Sequence, residues 1–142
     1  MQKSRIVIDT NVVISAMRSK RGASSLLLSL APQKRFSIHL STPVALEYEE
    51  VLLRNRRTLG MTESQVSALV DALCSIAEKH DIHFLWRPTL RDIDDEAILE
   101  LAVAAHCQFI VTYNKRDFVG CEQFNVQAIT PKEFLERIGE LP

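Results

Sequence analysis

Arg5-Ile6-Val7-Ile8-Asp9-Thr10-Asn11-Val12-Val13-Ile14 sets a single carboxylate between two apolar runs. A charged side chain is costly to bury without hydrogen bonds or a metal, so Asp9 is either satisfied by partners or displayed where a strand ends. The string reads as a short buried strand at residues 6–8, opening into a loop that carries Asp9, Thr10 and Asn11. A helix from Val12 to Met17 follows.

Working outward, a basic break containing Gly22 precedes a helix from about Ser24 to Leu30, and Phe36-Ser-Ile-His-Leu40 alternates as a strand does. Thr42 is expected to cap the next helix, with Pro43 in the first helical position, where a missing N–H costs nothing. That helix should run to about Arg54, and Gly60 breaks the chain after it. Thr62 with Gln65 forms a capping-box pattern ahead of the apolar stripe Val66, Leu69, Val70, Leu73, Ile76 and Ala77. Ile82 to Leu85 is expected to be the next strand, ended by Pro88. A helix starts near Asp94, and Ile98, Leu99, Leu101, Ala102, Val103 and Ala105 leave it little polar face, so it should pack against the sheet and a neighbour. Phe109 to Thr112 and Val126 to Ile129 read as strands, and Thr130-Pro131 opens a terminal helix through Ile138. Short apolar strands alternating with helices imply a three-layer α/β/α sandwich around a mostly parallel sheet. In such folds the functional crevice lies beyond the carboxyl ends of the strands, which is where Asp9 and the Thr112-Tyr113-Asn114 segment fall.

At 142 residues the chain suits one domain, residues 1–142. Its 46% hydrophobic and 25% charged residues are those of a globular protein. No stretch approaches the roughly 20 uncharged residues of a membrane span, and the apolar run after Met1 is interrupted by Asp9. A cytoplasmic location is therefore expected. Cys74, Cys107 and Cys121 are widely spaced and lack a Cys-x-x-Cys pair, so they read as free thiols. His39, His80, His83 and His106 lack the paired helical spacing of metal ligands and read as ordinary strand and helix-end residues. A net charge of -1 gives no global attraction to nucleic acid, although local clusters (Arg18, Lys20 and Arg21; Lys34 and Arg35; Arg54, Arg56 and Arg57; Lys115 and Arg116) can meet a phosphate backbone. Gly22, Gly60, Gly120 and Gly139 form neither a dinucleotide fingerprint nor a P-loop. A phosphorelay receiver is disfavoured because Asp9 stands alone and the second strand ends in Ser41-Thr42. Trp86 and Tyr113 are large enough to stack on an unpaired base, with core or rim packing the plainer role for Trp86.

Three later acids give Asp9 its meaning. Glu47 lies in the second-strand helix, Asp95 at a helix start beside Asp94 and Glu96, and Asp117 beyond a later strand. Each has an ordinary explanation alone: a surface Glu, a helix-dipole acid, a turn residue. Together they can converge on one sheet edge. Carboxylates gathered in one place repel and raise each other's pKa unless a cation neutralises them. An all-oxygen donor set selects hard divalent ions, Mg2+ or Mn2+, which retain waters able to attack a phosphodiester.

Four blocks now resemble the PIN-domain family of metal-dependent ribonucleases, and within it the VapC-like toxins of prokaryotic toxin–antitoxin pairs. They are Ile6-Val-Ile-Asp9-Thr10-Asn11-Val-Val-Ile-Ser15, Ser41-Thr-Pro-Val-Ala-Leu-Glu47-Tyr-Glu-Glu-Val51-Leu52, Arg91-Asp92-Ile-Asp94-Asp95-Glu-Ala-Ile-Leu-Glu-Leu-Ala102 and Ile110-Val-Thr112-Tyr-Asn114-Lys-Arg-Asp117-Phe118. The resemblance implies that Asp9, Glu47 and Asp95 hold the metal, with Asp92 as an outer member and Asn11 and Thr112 as polar supports. Many relatives carry Asp where this chain has Asn114, and Asp117 follows in an Asn-x-x-Asp-Phe variant. The fourth acidic position therefore falls to Asp117 or to the Asn114 site, and one metal or two remain open. The resemblance further implies single-stranded RNA as substrate, a cognate antitoxin as partner and a homodimer. The alternative is a PIN-like module that binds RNA or protein without cleaving.

Overall fold

The computed structural model describes residues 3–82 and 93–141. Among these, the strands are β1 (Ser4–Ile8), β2 (Phe36–Leu40), β3 (Glu78–Lys79), β4 (Phe109–Val111) and β5 (Gln127–Ile129). The helices are α1 (Thr10–Arg18), α2 (Ala23–Leu30), α3 (Thr42–Leu59), α4 (Glu63–Ile76), α5 (Ile93–Ala104) and α6 (Pro131–Arg137). The strands form one sheet in the order β3-β2-β1-β4-β5 with every neighbouring pair parallel. This is the expected α/β architecture. The chain moves outward from β1 through β2 to β3, then returns to the other side of β1 as β4. The order reverses between β1 and β4, so the crevice opens where those two strands end.

Register assigns the sheet's faces. Ile6 stands opposite Ile38 on one side and Phe109 on the other, so these residues and Phe36 share a face. Phe134 of α6 packs edge-on against Phe36 at 5.3 Å and Phe109 at 5.8 Å between ring centroids. The other face carries Arg5, Val7, Ser37, His39 and Ile110. It meets α5, whose Ile98, Leu99, Leu101 and Ala102 are wholly buried against β1, β2, β4 and α3. The nearly all-apolar α5 helix thus packs as its composition predicts. Arg5 Nε donates to the Ala105 carbonyl at 2.9 Å and ties the end of that helix to the sheet.

Several local expectations change. No loop separates β1 from α1: Asp9 is itself the N-cap and Thr10 begins the helix. Ser41, not Thr42, caps α3, its hydroxyl accepting from Val44 N at 3.5 Å. The same helix continues past Arg54 to Leu59, where Gly60 at φ +69° ends it in the left-handed conformation that glycine adopts without a Cβ penalty. Helix α4 starts at the expected capping box, Gln65 N donating to Thr62 Oγ1 at 3.1 Å and Thr62 N to Gln65 Oε1 at 2.8 Å. The third strand falls at Glu78–Lys79 instead of Ile82–Leu85. Ile82 is outside any strand, and residues 83–85, with His83, Trp86 and Pro88, lie outside the described residues. Pairing there is made by backbone groups, since both β3 residues are exposed and carry no apolar signal. No helix among the described residues is long and apolar enough to cross a membrane.

Candidate functional site

Asp9 is nearly buried, and its position one residue past β1 determines its partners. Its Oδ1 accepts from Thr10 N at 2.8 Å, and its Oδ2 accepts from Thr112 Oγ1 at 2.7 Å. Thr112 stands one residue past β4, the strand hydrogen-bonded to β1, and Asp9 N donates to the Val111 carbonyl at 2.9 Å. These bonds fix the carboxylate's orientation at the start of α1. This answers the opening constraint: the lone acid is both satisfied and displayed at a strand end.

Glu47 reaches the same place from α3. Thr10 Oγ1 donates to Glu47 Oε2 at 2.8 Å, which joins the first turn of α1 to the second turn of α3. The neighbouring Tyr48 is buried, and its hydroxyl donates to the Ile8 carbonyl, fastening α3 to the end of β1. Burial, helped by the charges of Asp9 and Glu47, pushes the Tyr48 phenol well above its ordinary pKa and keeps it a donor.

Asp9, Glu47, Asp95 and Asp117 line one open cleft of about 400 Å3, together with Asn11 and Asn114. Four segments far apart in sequence supply those acids: the β1 end, α3, the first turn of α5 and a 3-10 turn at Lys115–Phe118. Thr112 stands behind this wall, since its Oγ1 also accepts from Asn114 N at 3.0 Å. Asn11 Oδ1 accepts from Tyr113 N at 3.4 Å, which draws the post-β4 segment toward α1. Asn114 and Asp117 both face the cleft, so the fourth acidic position has two occupants to choose from. Asp92 lies outside the described residues. Among the described residues no histidine or cysteine lines this cleft, and a wall of carboxylates and amides fits a hard divalent cation better than a thiolate- or imidazole-seeking one.

Thr10, Ile14, Val51 and Asn55 also line the cleft and were not expected there, and Arg18, from a basic cluster that the sequence offers to phosphate, joins them. The signal for Arg18 was its spacing: Asn11, Ile14 and Arg18 recur on one face of α1. Asn55 follows Glu47 and Val51 at successive intervals of four, but ending α3 at Arg54 hid it. Two of the histidines come together with a carboxylate away from this cleft. His39, Glu78 and His80 each place one potential ligand atom within 4.8 Å of the others, and no other such triple occurs among the described residues. His39 lies in β2 and His80 just past β3, so helical spacing could not reveal the pairing.

Comparison with known proteins agrees with the fold. Residues 5–116 match the family model of the PIN domain, and the chain belongs to that family, whose members are typically nucleases. Among solved structures, a chain from VapBC2 of Rickettsia felis bound to a DNA fragment from their promoter shares the fold at a TM-score of 0.60 and 17% identity. The likeness covers 89% of this chain and 98% of that one. Among curated proteins, none matches the sequence significantly.

Proposed function

We propose that this chain is an endoribonuclease that uses Mg2+ or Mn2+ to cleave single-stranded RNA, and that it is the toxin of a toxin–antitoxin pair. The observation that carries the proposal is the convergence of Asp9, Glu47, Asp95 and Asp117 on one cleft at the β1–β4 reversal. PIN-family membership supports the nuclease reading. The likeness to a VapBC2 chain supports an antitoxin partner. A homodimer in the cytoplasm completes the proposal.

Asp9, Glu47 and Asp95 would hold the cation, with Asp117 supplying the fourth carboxylate. Once bound, the ion supplies charge neutralisation and Lewis acidity toward a phosphodiester. The chain's own groups prepare that chemistry. Thr112 and the α1 N-terminus hold Asp9 in one orientation, and Thr10 does the same for Glu47. Arg18 and Asn55 on the cleft wall offer a guanidinium and an amide to phosphate oxygens. Tyr113, 45% exposed, presents a ring to an unpaired base, its hydroxyl tied to Ser24 Oγ. An open cleft suits a single strand.

Activity and binding together test the proposal. Purified protein should cleave a fluorescent single-stranded RNA, and Asp9→Asn should bind the RNA comparably while cleaving at least about a hundredfold more slowly. RNA binding by the wild type without cleavage at any Mg2+ or Mn2+ concentration would instead establish a non-cleaving binding module.

A further inference from the structure

We propose a second metal site, for an ion of the zinc class, formed by His39, Glu78 and His80 across the β2–β3 edge. None of the three lines the acidic cleft. The backbone explains why they meet. His39 is the Cα partner of Glu78 in the parallel ladder, so the two side chains leave the same face of the sheet. Residues two apart on a strand also share a face, and His80 N donates to the Leu40 carbonyl at 2.8 Å, extending the ladder through that residue. Three donors therefore gather on one side of two strands.

One distance already suits coordination, while the other contact is made through the opposite nitrogen of the His39 ring. His39 Nε2 lies 3.3 Å from Glu78 Oε2. Ligand atoms each about 2.0–2.1 Å from a tetrahedral centre stand about 3.3 Å apart, so this pair is already at metal-ligand spacing. His39 Nδ1 lies 2.8 Å from His80 Nε2, close enough that the imidazoles share a hydrogen bond. Binding all three would replace that bond, and the exposure pattern permits it. His39 is wholly buried, and the Ser37 hydroxyl, 2.8 Å from the same Nε2, must turn away for that nitrogen to coordinate, whereas Glu78 is exposed and His80 half-buried, so the outer two can adjust. Arg5 Nη1, 3.7 Å from Glu78 Oε2, is the opposing charge and must yield one carboxylate oxygen. Two imidazoles and a carboxylate form the donor set of Zn2+ and its neighbours, unlike the oxygen-lined cleft. The bound ion would clasp β3, only two residues long, to β2.

The test uses metal-stripped protein carrying Asp9→Asn and Asp95→Asn, which weakens the acidic cleft as a competing site. Zn2+ is titrated against a chromophoric chelator, Co2+ reports coordination through its visible bands, and melting temperature is followed in parallel. The site predicts about one equivalent of Zn2+, four-coordinate cobalt bands and a higher Tm with metal. Adding His80→Ala or Glu78→Gln should weaken binding at least about tenfold and remove the Tm shift. His39→Ala empties a buried position and endangers the fold, so the test rests on the two outer ligands. Unchanged zinc affinity in both, or no binding in the parent, would reduce the cluster to a hydrogen-bonded relay among Ser37, His39, His80 and Glu78.

Discussion

Asp9 is bonded through both oxygens, and that fixes what its replacement should do. In Asp9→Asn the amide oxygen can still accept from Thr10 N, and Thr112 Oγ1 can turn to accept from the amide nitrogen. The fold should survive with a metal-free stability within about 1 kcal/mol of wild type, while RNA cleavage is lost. Urea melts beside an activity assay check this, and a collapse in stability would make Asp9 a structural residue. The fourth position is tested by metal titration. Asp117→Asn should raise the Mg2+ needed for half-maximal rate more than it lowers the saturated rate, and Asn114→Asp should lower that requirement. If Asp117→Asn matches wild type and Asn114→Ala loses all activity, the fourth position belongs to Asn114. The thiols give a prediction remote from the cleft. Burial pushes the Cys107 thiol up to about 12 and raises that of Cys121, so both stay protonated and inaccessible, while Cys74 is only half-buried. Titration with a thiol reagent at pH 8 should label Cys74 alone until the protein is unfolded. Asp9 was legible because a lone acid in an apolar run demands explanation. Thr10 was not, because its role depends on Glu47 37 positions away.

Elements with strong local signals were readable, and those made by pairing were not. The α4 capping box is visible as Thr62 and Gln65, and its geometry is good, so Thr62→Ala should cost about 1 kcal/mol in urea unfolding. Ser41 accepts from Val44 N at 3.5 Å, near the limit of a hydrogen bond, so Ser41→Ala should cost clearly less. Equal losses would mean that cap distance does not set cap strength here. Strand β3 left no apolar pattern, because its two exposed residues are held by main-chain bonds to β2. The length of α3 was misjudged because Arg54, Asn55, Arg56 and Arg57 resemble a polar ending, although Leu59 and Gly60 mark the true one. That error concealed Asn55 as part of the cleft wall.

The alternation of strands and helices gave the layered α/β class, whereas the strand order depends on long-range pairing that no local pattern encodes. That order brings β1 and β4 side by side and so gathers acids more than a hundred positions apart. On the proposed function, a net charge of -1 over the whole molecule means that RNA would be held locally, by groups such as Arg18, and not by overall attraction. Arg18→Ala should therefore weaken RNA binding and flatten its salt dependence by about one counterion's worth, measured by fluorescence anisotropy at several ionic strengths. The most direct test of the central claim is cleavage of a defined single-stranded RNA by chelator-stripped protein as Mg2+ is restored, with Glu47→Gln and Asp95→Asn in parallel. Activity should be absent without metal, return with Mg2+ in the wild type, and stay absent in both variants. Robust cleavage by the metal-free protein, or full activity in either variant, would contradict the assignment of this cleft as a metal-dependent nuclease site.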